Sequence, residues 1–574
     1  MKIFSGCNCP QYQYWLGVYF FDKLILRGIQ MGKNLLKHWY KDSVPCRSAC
    51  PADTDIPGYL EAIYNNEFDK AYQINFNDNF FPEILGRVCS RPCEDNCRHG
   101  EHDNGEPVSI CFSKRAAGKF TSSKKVKLRD KQKNTNKNIL IIGGGVAGLA
   151  SAAELKRFGH NVTIYERHKS LGGMLNQGIP VFRLPRKLIE KEVKQIIDLG
   201  VKVELNKSIN TSSEIQSLSK KFDAVVCAMG TLKPNKLDQK FSNDPNVEDG
   251  LDFLLRVNEK NDRYVGKNVI VIGGGYTSMD CARTALRLGA KSVKTFYRRE
   301  QGDLDILPGE LEELVNENGK MIFRARPNKL ITDKGKLKYL ELIKTESVGD
   351  KLKDIPNSKF KIKTDHIILA IGQRQEFIAS KNKNIFFAGD YKLGATTLIN
   401  AIGHAKEIAR NVDHFLMRRN ILEEKYCIES SVSTKRSLKD NYIPITDMRL
   451  RDLSKRTFTS EVELGYNKSE SKKESSRCYL CHYQFEINND LCVLCDECLL
   501  VRPVNECIKE LSSKNIDKSG EVSFEKLNPG KSHGIYHGLL YIDPKVCVRC
   551  GECEKACPTG AIKLSKVSKI NAPA

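Results

Sequence analysis

Twice along the chain a short apolar strand runs into a glycine-rich turn and then a helix. The first unit reads Asn138-Ile-Leu-Ile-Ile142, then Gly143-Gly144-Gly145-Val146-Ala147-Gly148, a helical pattern over Leu149–Phe158, and a strand over Asn161–Tyr165 that ends at Glu166. This is G-x-G-x-x-G in strand–turn–helix context with an acid about 20 residues further on, the fingerprint of a dinucleotide site. Gly143 permits the tight turn, Gly145 lets a pyrophosphate approach the helix N-terminus, and Gly148 permits close packing of helix on strand. Glu166 is placed to accept hydrogen bonds from a ribose hydroxyl. The second unit has the strand Asn268–Ile272, the turn Gly273-Gly274-Gly275-Tyr276-Thr277-Ser278, a helix over Met279–Leu288 and a strand over Ser292–Phe296. Ser278 replaces the third glycine, and the second strand runs into Tyr297-Arg298-Arg299 rather than an acid. A carboxylate there would repel a 2′-phosphate, whereas paired guanidiniums match its geometry. The second unit therefore reads as an NADP(H) site, the alternative being two arginines on a solvated strand end.

A dinucleotide unit nested inside another needs a return segment. His366-Ile-Ile-Leu-Ala-Ile-Gly372 is a candidate closing strand for the inserted unit, and Asn384-Ile-Phe-Phe-Ala-Gly389-Asp390 for the outer one. Asp390, at a strand end, is placed for the ribityl or pyrophosphate part of a flavin. The fold class that follows is α/β with two nested Rossmann-like domains, binding FAD and NAD(P)H. The expected boundaries are 138–265 and 366–420 for the FAD domain, with 266–365 for the nicotinamide domain between them.

The remainder of the 574 residues is dominated by cysteine. The chain carries 21 of them and a net charge of +22. Disulfide-rich secreted scaffolds are usually small, and here most cysteines lie in tight clusters at the two ends, spaced for metal rather than for disulfides. Each four-thiolate [4Fe–4S]²⁺ unit contributes about −2, so three clusters and a flavin would leave about +14. No apolar run approaches the roughly 20 residues of a membrane span; the stretch Tyr14–Leu26 is short and interrupted by Asp22 and Lys23. A cytoplasmic protein without membrane span is expected. Residues 1–30, with Cys7 and Cys9, resemble nothing assignable, and Met31 is an equally good start. Residues 31–120 read as a helical cysteine-bearing domain, 121–137 and 421–476 as polar linkers, and 477–574 as a second cysteine domain.

In that last domain Cys547-x2-Cys550-x2-Cys553-x3-Cys557-Pro558 matches the bacterial ferredoxin run, whose fourth cysteine crosses to the other cluster. Cys492-x2-Cys495-x2-Cys498 supplies the partner, with Cys507 as its crossing ligand. The expected groups are Cys492, Cys495, Cys498 and Cys557 for one [4Fe–4S] cluster, and Cys547, Cys550, Cys553 and Cys507 for the other, in an α+β ferredoxin-like fold. Zinc ribbons use paired C-x2-C knuckles instead. The separate knuckle Cys478-Tyr-Leu-Cys481 could serve zinc, serve another cluster, or remain as free thiols. The N-terminal set comprises Cys46-x3-Cys50-Pro51, Cys89-x3-Cys93-x3-Cys97 and Cys111.

Residues 45–420 resemble the glutamate synthase small-subunit family of two-dinucleotide flavoprotein reductases. The marks are Gly172-Gly173-Met174-Leu175, Gly178-Ile-Pro-Val-Phe-Arg-Leu-Pro185, Cys227-Ala-Met-Gly-Thr231, Gly273–Asp280, Tyr297-Arg-Arg299, Ala388-Gly-Asp390, Arg87-Val-Cys89 and Pro92-Cys-Glu94. The resemblance implies that Gly173, Arg183, Gly389, Thr396 and Thr397 touch FAD, and that Gly275, Thr277, Asp280 and Gly372 lie at or near the NADPH site. It implies one N-terminal cluster on Cys46, Cys50, Cys89 and Cys93. Cys97 and Cys111 are left for a second cluster, because the upstream C-x2-C pair that serves it in the family is missing; zinc on four of these thiols is the alternative. The N-terminal half of dihydropyrimidine dehydrogenase is similar too.

These features imply an NAD(P)H oxidoreductase exchanging electrons through FAD and [4Fe–4S] clusters with a ferredoxin or a partner redox subunit. The second reading is the electron-input subunit of a glutamate synthase, which needs a separate large subunit. A zinc-stabilised nucleic-acid-binding or scaffold protein is a third, against which stands the lack of interleaved aromatic and basic residues. No C-x-x-C accompanies the nicotinamide unit, which disfavours disulfide reduction. Replacing Arg298 with Glu and Arg299 with Ser should weaken NADPH at least tenfold more than NADH in steady-state KM; equal losses would contradict the 2′-phosphate role.

Overall fold

The structure, a computed structural model, describes residues 33–101, 105–122, 126–237, 244–334, 336–349, 351–377, 379, 382–419, 423–516, 522–526 and 538–572. The unassigned extension 1–30, with Cys7 and Cys9, lies outside the described residues. Among them no helix is long and apolar enough to cross a membrane.

The N-terminal region is helical. Its longer helices are Lys33–Ser43, Ile56–Tyr64, Phe68–Asn79, Pro82–Val88 and Ile110–Phe120, and the cysteines sit on or beside short helical turns at Pro45–Ser48, Pro92–Asp95 and Arg98–Glu101. Four of these helices have proline in their first two positions, where its fixed φ suits a helix and its missing N–H costs nothing. Asp55 caps Ile56–Tyr64 by accepting from the Gly58 amide. Tyr59, Phe76, Phe80, Phe81 and Ile84 are fully buried between the helices.

The strand Asn138–Ile142 is the centre of a parallel five-stranded sheet in the order Ile385–Phe387, Ala224–Cys227, Asn138–Ile142, Asn161–Tyr165, Lys202–Glu204. Its near-continuous apolar residues fit a strand covered on both faces. A second parallel sheet runs Val247–Asp249, His366–Leu369, Asn268–Ile272, Ser292–Phe296, Lys320–Ile322. An antiparallel sheet over residues 325–363 is inserted before its last strand. The boundaries differ from the sequence expectation by one strand at each side. Val247–Asp249 and the following helix Gly250–Glu259 belong to the inserted unit, not to a first FAD segment ending at 265, and His366–Leu369 closes that unit instead of opening a segment 366–420. The two crossings between the units, Lys233–Pro234 and Gln373–Arg374, pair with each other as a short antiparallel ribbon. Gly372 turns into that ribbon with φ +94° and accepts from the Asn235 amide.

Neither polar stretch is a free linker. In 121–137, the Arg129 amide donates to Asn77, its guanidinium pairs with Asp78 at 2.9 Å, and Gln132 and Thr135 bond the backbone at Arg157 and Gly159. Side-chain and main-chain polar groups pin the segment where apolar residues are scarce. The stretch 421–476 contributes a strand, Glu423–Ser431, that pairs along its full length with the terminal strand Ile562–Ala572. It ends in the helix Lys468–Ser476, capped by Asn467, with Glu474 buried and accepting from the Ser109 amide. Strand pairing supplies the order that composition alone did not suggest.

The C-terminal domain has two three-stranded antiparallel sheets, Glu423–Ser431, Ile562–Ala572, Tyr483–Ile487 and Val522–Lys526, Ile508–Ile516, Leu539–Ile542, with short helices Glu497–Leu500 and Glu552–Ala556. One hydrophobic core joins the N-terminal helices, the first parallel sheet and this C-terminal domain, and twelve of the buried residues within it are cysteines, Cys46, Cys50, Cys89, Cys93 and Cys111 among them. The inserted nicotinamide unit keeps separate cores. It is fastened by ion pairs, above all Arg456 to Glu313 and Glu317, the latter also held by Arg283 and Arg287. Burial opposes the Glu317 carboxylate, but hydrogen bonds from Arg287 and Arg283 hold it down at about 2. Its contribution is present above the ordinary carboxylate range and fades as pH falls toward 2. Glu317→Gln should therefore cost about 3–5 kcal/mol at pH 7, read as a lower thermal midpoint, with the difference from wild type shrinking as pH falls below 4.5.

Candidate functional site

A cavity of about 960 Å³ opens at the C-terminal edge of the first parallel sheet, where Gly143, Gly145, Glu166, Gly173, Asp390, Thr396 and Thr397 come together. Gly143 turns with φ +108°, and a Cβ there would stand 2.4 Å from the Ala228 carbonyl oxygen. A Cβ on Gly148 would stand 1.9 Å from the Gly143 carbonyl oxygen, so only glycine lets the helix Val146–Arg157 rise directly from the strand. A Cβ on Gly145 would meet only the Gly173 Cα, at 4.0 Å. Glu166 accepts from the Gly144 amide at 2.7 Å and the His168 amide at 2.8 Å. A carboxylate has about four acceptor positions, so capacity remains for a ligand hydroxyl in the cavity.

Two buried polar atoms at this cavity, Asp390 Oδ1 and Thr396 Oγ1, have no hydrogen-bond partner among the described residues. Burial pushes the Asp390 carboxyl up to about 7, against a backbone hydrogen bond from Thr396. Unpartnered buried groups of this kind are costly unless a ligand satisfies them. Together with the glycine cradle at a helix N-terminus they fit a dinucleotide such as FAD, its pyrophosphate over Gly145. Gly389 packs against Ala147 and donates its N–H to His404.

Arg183, expected at the flavin, is not on the cavity wall. Its guanidinium is clamped between Asp280 at 2.7 Å and Glu310, joining the two dinucleotide units. Asp280 is correspondingly buried in this pair on the helix Tyr276–Arg287 and is not directed to the glycine turn as a free carboxylate. A buried guanidinium needs carboxylate partners, and two were available across the interface. In the second turn Gly275 precedes the helix, Gly273 has φ +149°, and Ser278 Oγ donates to the Gly275 carbonyl at 2.6 Å. The serine thus fills the third glycine position by bonding back to its own turn. Thr277 lies in the first turn of the same helix, its methyl near Gly250. Arg298 and Arg299 are exposed at the strand end, and neither side chain has an ion-pair partner among the described residues, leaving both guanidiniums available to an anion.

The thiols assemble into four groups. Cys492, Cys495, Cys498 and Cys557 line one cavity. Cys507 lies with Cys547, Cys550 and Cys553: burial pushes the Cys507 thiol up to about 12 with help from Cys547 and Cys550, and Cys553 is raised by burial and by Cys547, Cys550 and Cys507. The N-terminal thiols divide differently from the expectation. Hydrogen bonds with Cys89 and Cys93 hold the Cys111 thiol down. Burial disfavours the Lys114 ammonium, but Cys111, Cys89, Cys93 and Cys50 outweigh it and hold its pKa above the ordinary value. Cys50, Cys89, Cys93 and Cys111 are thus one group. Cys46 is parted from them and lines a cavity with Cys97, Cys478 and Cys481; burial, then the charges of those three thiols, push its pKa up. Cys46 lies within the short helix Pro45–Ser48 and Cys50 beyond its C-terminal end, where the chain has left the helix and faces the other group. Sequence reasoning missed Cys111 as a partner of Cys89 and Cys93. The Cys478–Cys481 spacing was visible, but its partners lie far away in the sequence, at Cys46 and Cys97.

Comparison with known proteins finds relatives of each of these regions. The pyridine nucleotide-disulphide oxidoreductase family model matches residues 137–376, the model for dihydropyrimidine dehydrogenase domain II, 4Fe-4S cluster, matches 41–126, and the 4Fe-4S binding domain matches 540–563. The beta subunit of an NADP(+)-dependent formate dehydrogenase from Moorella thermoacetica is 27% identical over 77% of this chain and 71% of its own length. The beta subunit of an NADPH-Fe(3+) oxidoreductase from Geobacter sulfurreducens is 28% identical, covering 80% and 78%. The glutamate synthase [NADPH] small chain of Bacillus subtilis is 31% identical, covering 65% of this chain and 87% of its own. With two dinucleotide units, an N-terminal 4Fe-4S domain and a C-terminal ferredoxin motif in one polypeptide, the chain belongs to the glutamate synthase small-chain-like family of FAD- and NADP-dependent iron–sulfur oxidoreductases.

Proposed function

We propose that the chain is the electron-exchange subunit of a cytoplasmic complex, connecting NADPH at the second glycine turn with a redox partner protein that docks at the C-terminal thiol domain. The observation that carries this reading is the continuous core from the flavin cavity to the C-terminal cysteines. Ala401 lines the cavity, and two residues on, Gly403 of the same helix packs so closely on Pro51 that a Cβ would stand 2.3 Å from its carbonyl oxygen. Pro51 follows Cys50, so one helix spans from the flavin cavity to the first thiol group. Lys406 of that helix donates to the Ala52 and Asp78 carbonyls at 2.6 Å each and fixes the contact.

Bound FAD would supply hydride acceptance from a nicotinamide and single-electron exchange with iron–sulfur centres, chemistry that belongs to the cofactors. The residues of this chain supply placement. Glu166 would take a ribose hydroxyl of FAD and Asp390 its ribityl or pyrophosphate part, Gly275 with Thr277 would receive the NADPH pyrophosphate, and Arg298 with Arg299 would bind the 2′-phosphate. The Arg183 clamp and the ribbon of Lys233–Pro234 with Gln373–Arg374 fix the two dinucleotide units against each other. Cys50, Cys89, Cys93 and Cys111, with the neighbouring positive Lys114, would hold a cluster beside the flavin domain, and the two C-terminal groups two more.

The far end of this series reaches the surface. Cys495 is exposed, and around its loop Leu491, Val493, Leu494 and Leu500 are exposed too, Val493 at 65% and Leu500 at 78%. An exposed apolar rim around a redox loop marks a protein docking face. Two relatives are named as beta subunits, which supports a partner subunit here. Cysteines held reduced for ligation suit the cytoplasm.

Cys553→Ala should leave anaerobic bleaching of the flavin by NADPH within about twofold of wild type and lower electron delivery to a ferredoxin-type acceptor at least tenfold; full delivery would take the C-terminal clusters off the route. Leu500→Glu with Val493→Glu should raise KM for the protein acceptor about tenfold while leaving reduction of a small dye unchanged; an unaltered KM would place docking elsewhere.

A further inference from the structure

We propose that Cys46, Cys97, Cys478 and Cys481 together ligate a [4Fe–4S] cluster, so that the Cys478-x2-Cys481 knuckle of the C-terminal region completes a metal site in the N-terminal helical domain. The four cysteines line one small cavity whose other walls are mainly apolar, including Pro45, Ile56, Leu60 and Val108. Cys46, Cys478 and Cys481 are each 8% exposed. Four thiols gathered in an apolar core are deprotonated only at a cost that a metal centre removes.

The backbone of the knuckle points the same way. Leu480 has φ +51°, a conformation uncommon for a non-glycine residue, and donates its N–H to Cys478 Sγ at 3.4 Å. The two ferredoxin-type loops repeat this turn at the same position: Leu494 between Cys492 and Cys495 has φ +52°, and Arg549 between Cys547 and Cys550 has φ +54°, with its N–H 3.4 Å from Cys547 Sγ. Three Cys-x2-Cys segments of one chain therefore share a left-handed residue before the second cysteine, and in two of them its amide is aimed at the first sulfur; such amides tune cluster potentials.

The shared turn selects the occupant: the other two segments that carry it belong to the ferredoxin-type cysteine runs, which hold [4Fe–4S] clusters. A cubane's charge of about −2 would meet buried guanidiniums. Arg98, Arg436 and Arg477 are all under a tenth exposed, and Arg436 is bonded to the Cys478 carbonyl. His99 lines the cavity with Nε2 unpartnered. Arg549 ties the site to the next one, its guanidinium donating to the carbonyls of both Cys481 and Cys547. The cluster sits on the seam between the N-terminal group and the C-terminal pair. This ligand assignment does not rest on the proposed partner or on the direction of electron flow.

The test is metal analysis of the full chain purified without oxygen, with flavin content as the measure of folding. Wild type should hold about 16 iron and 16 acid-labile sulfide, on four clusters of four thiolates each. Cys478→Ser with Cys481→Ser should lose about four of each while retaining flavin and its bleaching by NADPH; Cys97→Ser should lose the same four, and the triple variant no more than that. Unchanged iron in the double variant, or losses that add to about eight in the triple, would overturn the proposal. Should the variants fail to retain flavin, the wild-type chain alone decides: about 12 iron with one equivalent of zinc overturns the assignment, whereas about 16 iron without zinc upholds it.

Discussion

Burying thiols in groups is the constraint around which this molecule is arranged. A thiol alone is a tolerable core residue, but four facing one another repel as soon as they ionise, and burial resists that ionisation. The chain concentrates such groups where its N-terminal helices, flavin domain and C-terminal domain share one core. A bound metal centre reconciles that charge with that burial, since it takes the thiolates as ligands. The Lys114 ammonium beside one group and the arginines around another show the protein supplying compensating charge from its own side chains.

The nicotinamide unit follows a different logic. It has its own cores and meets the rest through ion pairs and a two-strand ribbon. Charged contacts fix register with less apolar burial than a shared core and let such a unit shift as a body. Arg183 lies on this boundary. It is held by a carboxylate from each of two elements of the nicotinamide unit, Asp280 and Glu310, so it sets the position of one dinucleotide site relative to the other rather than serving one alone.

Much of this was legible in the sequence, and the rest was hidden for identifiable reasons. Both glycine turns lie on the strands and helices that their local pattern requires, because that pattern is contiguous and physically self-sufficient. The segment 421–476 reads as polar linker, yet Glu423–Ser431 becomes a strand, since its order comes from pairing with Ile562–Ala572 far along the chain. The same distance conceals the grouping of Cys46 with Cys478 and Cys481. Spacing within a motif reveals that thiols ligate, whereas the end of the helix Pro45–Ser48, between Cys46 and Cys50, decides which group each joins. Residue transfer from relatives placed Arg183 at a cofactor, but the ion pair across the interface is a tertiary feature that no local motif carries.

The central claim is that flavin and clusters share electrons with one nicotinamide pool. The direct measurement is to reduce the chain fully with dithionite without oxygen, remove the excess, add NADP⁺, and count the NADPH formed per chain. Two electrons from the flavin and one from each of four clusters predict about three. A yield of about one, equal to the flavin's pair alone, while the clusters stay reduced, would contradict the account.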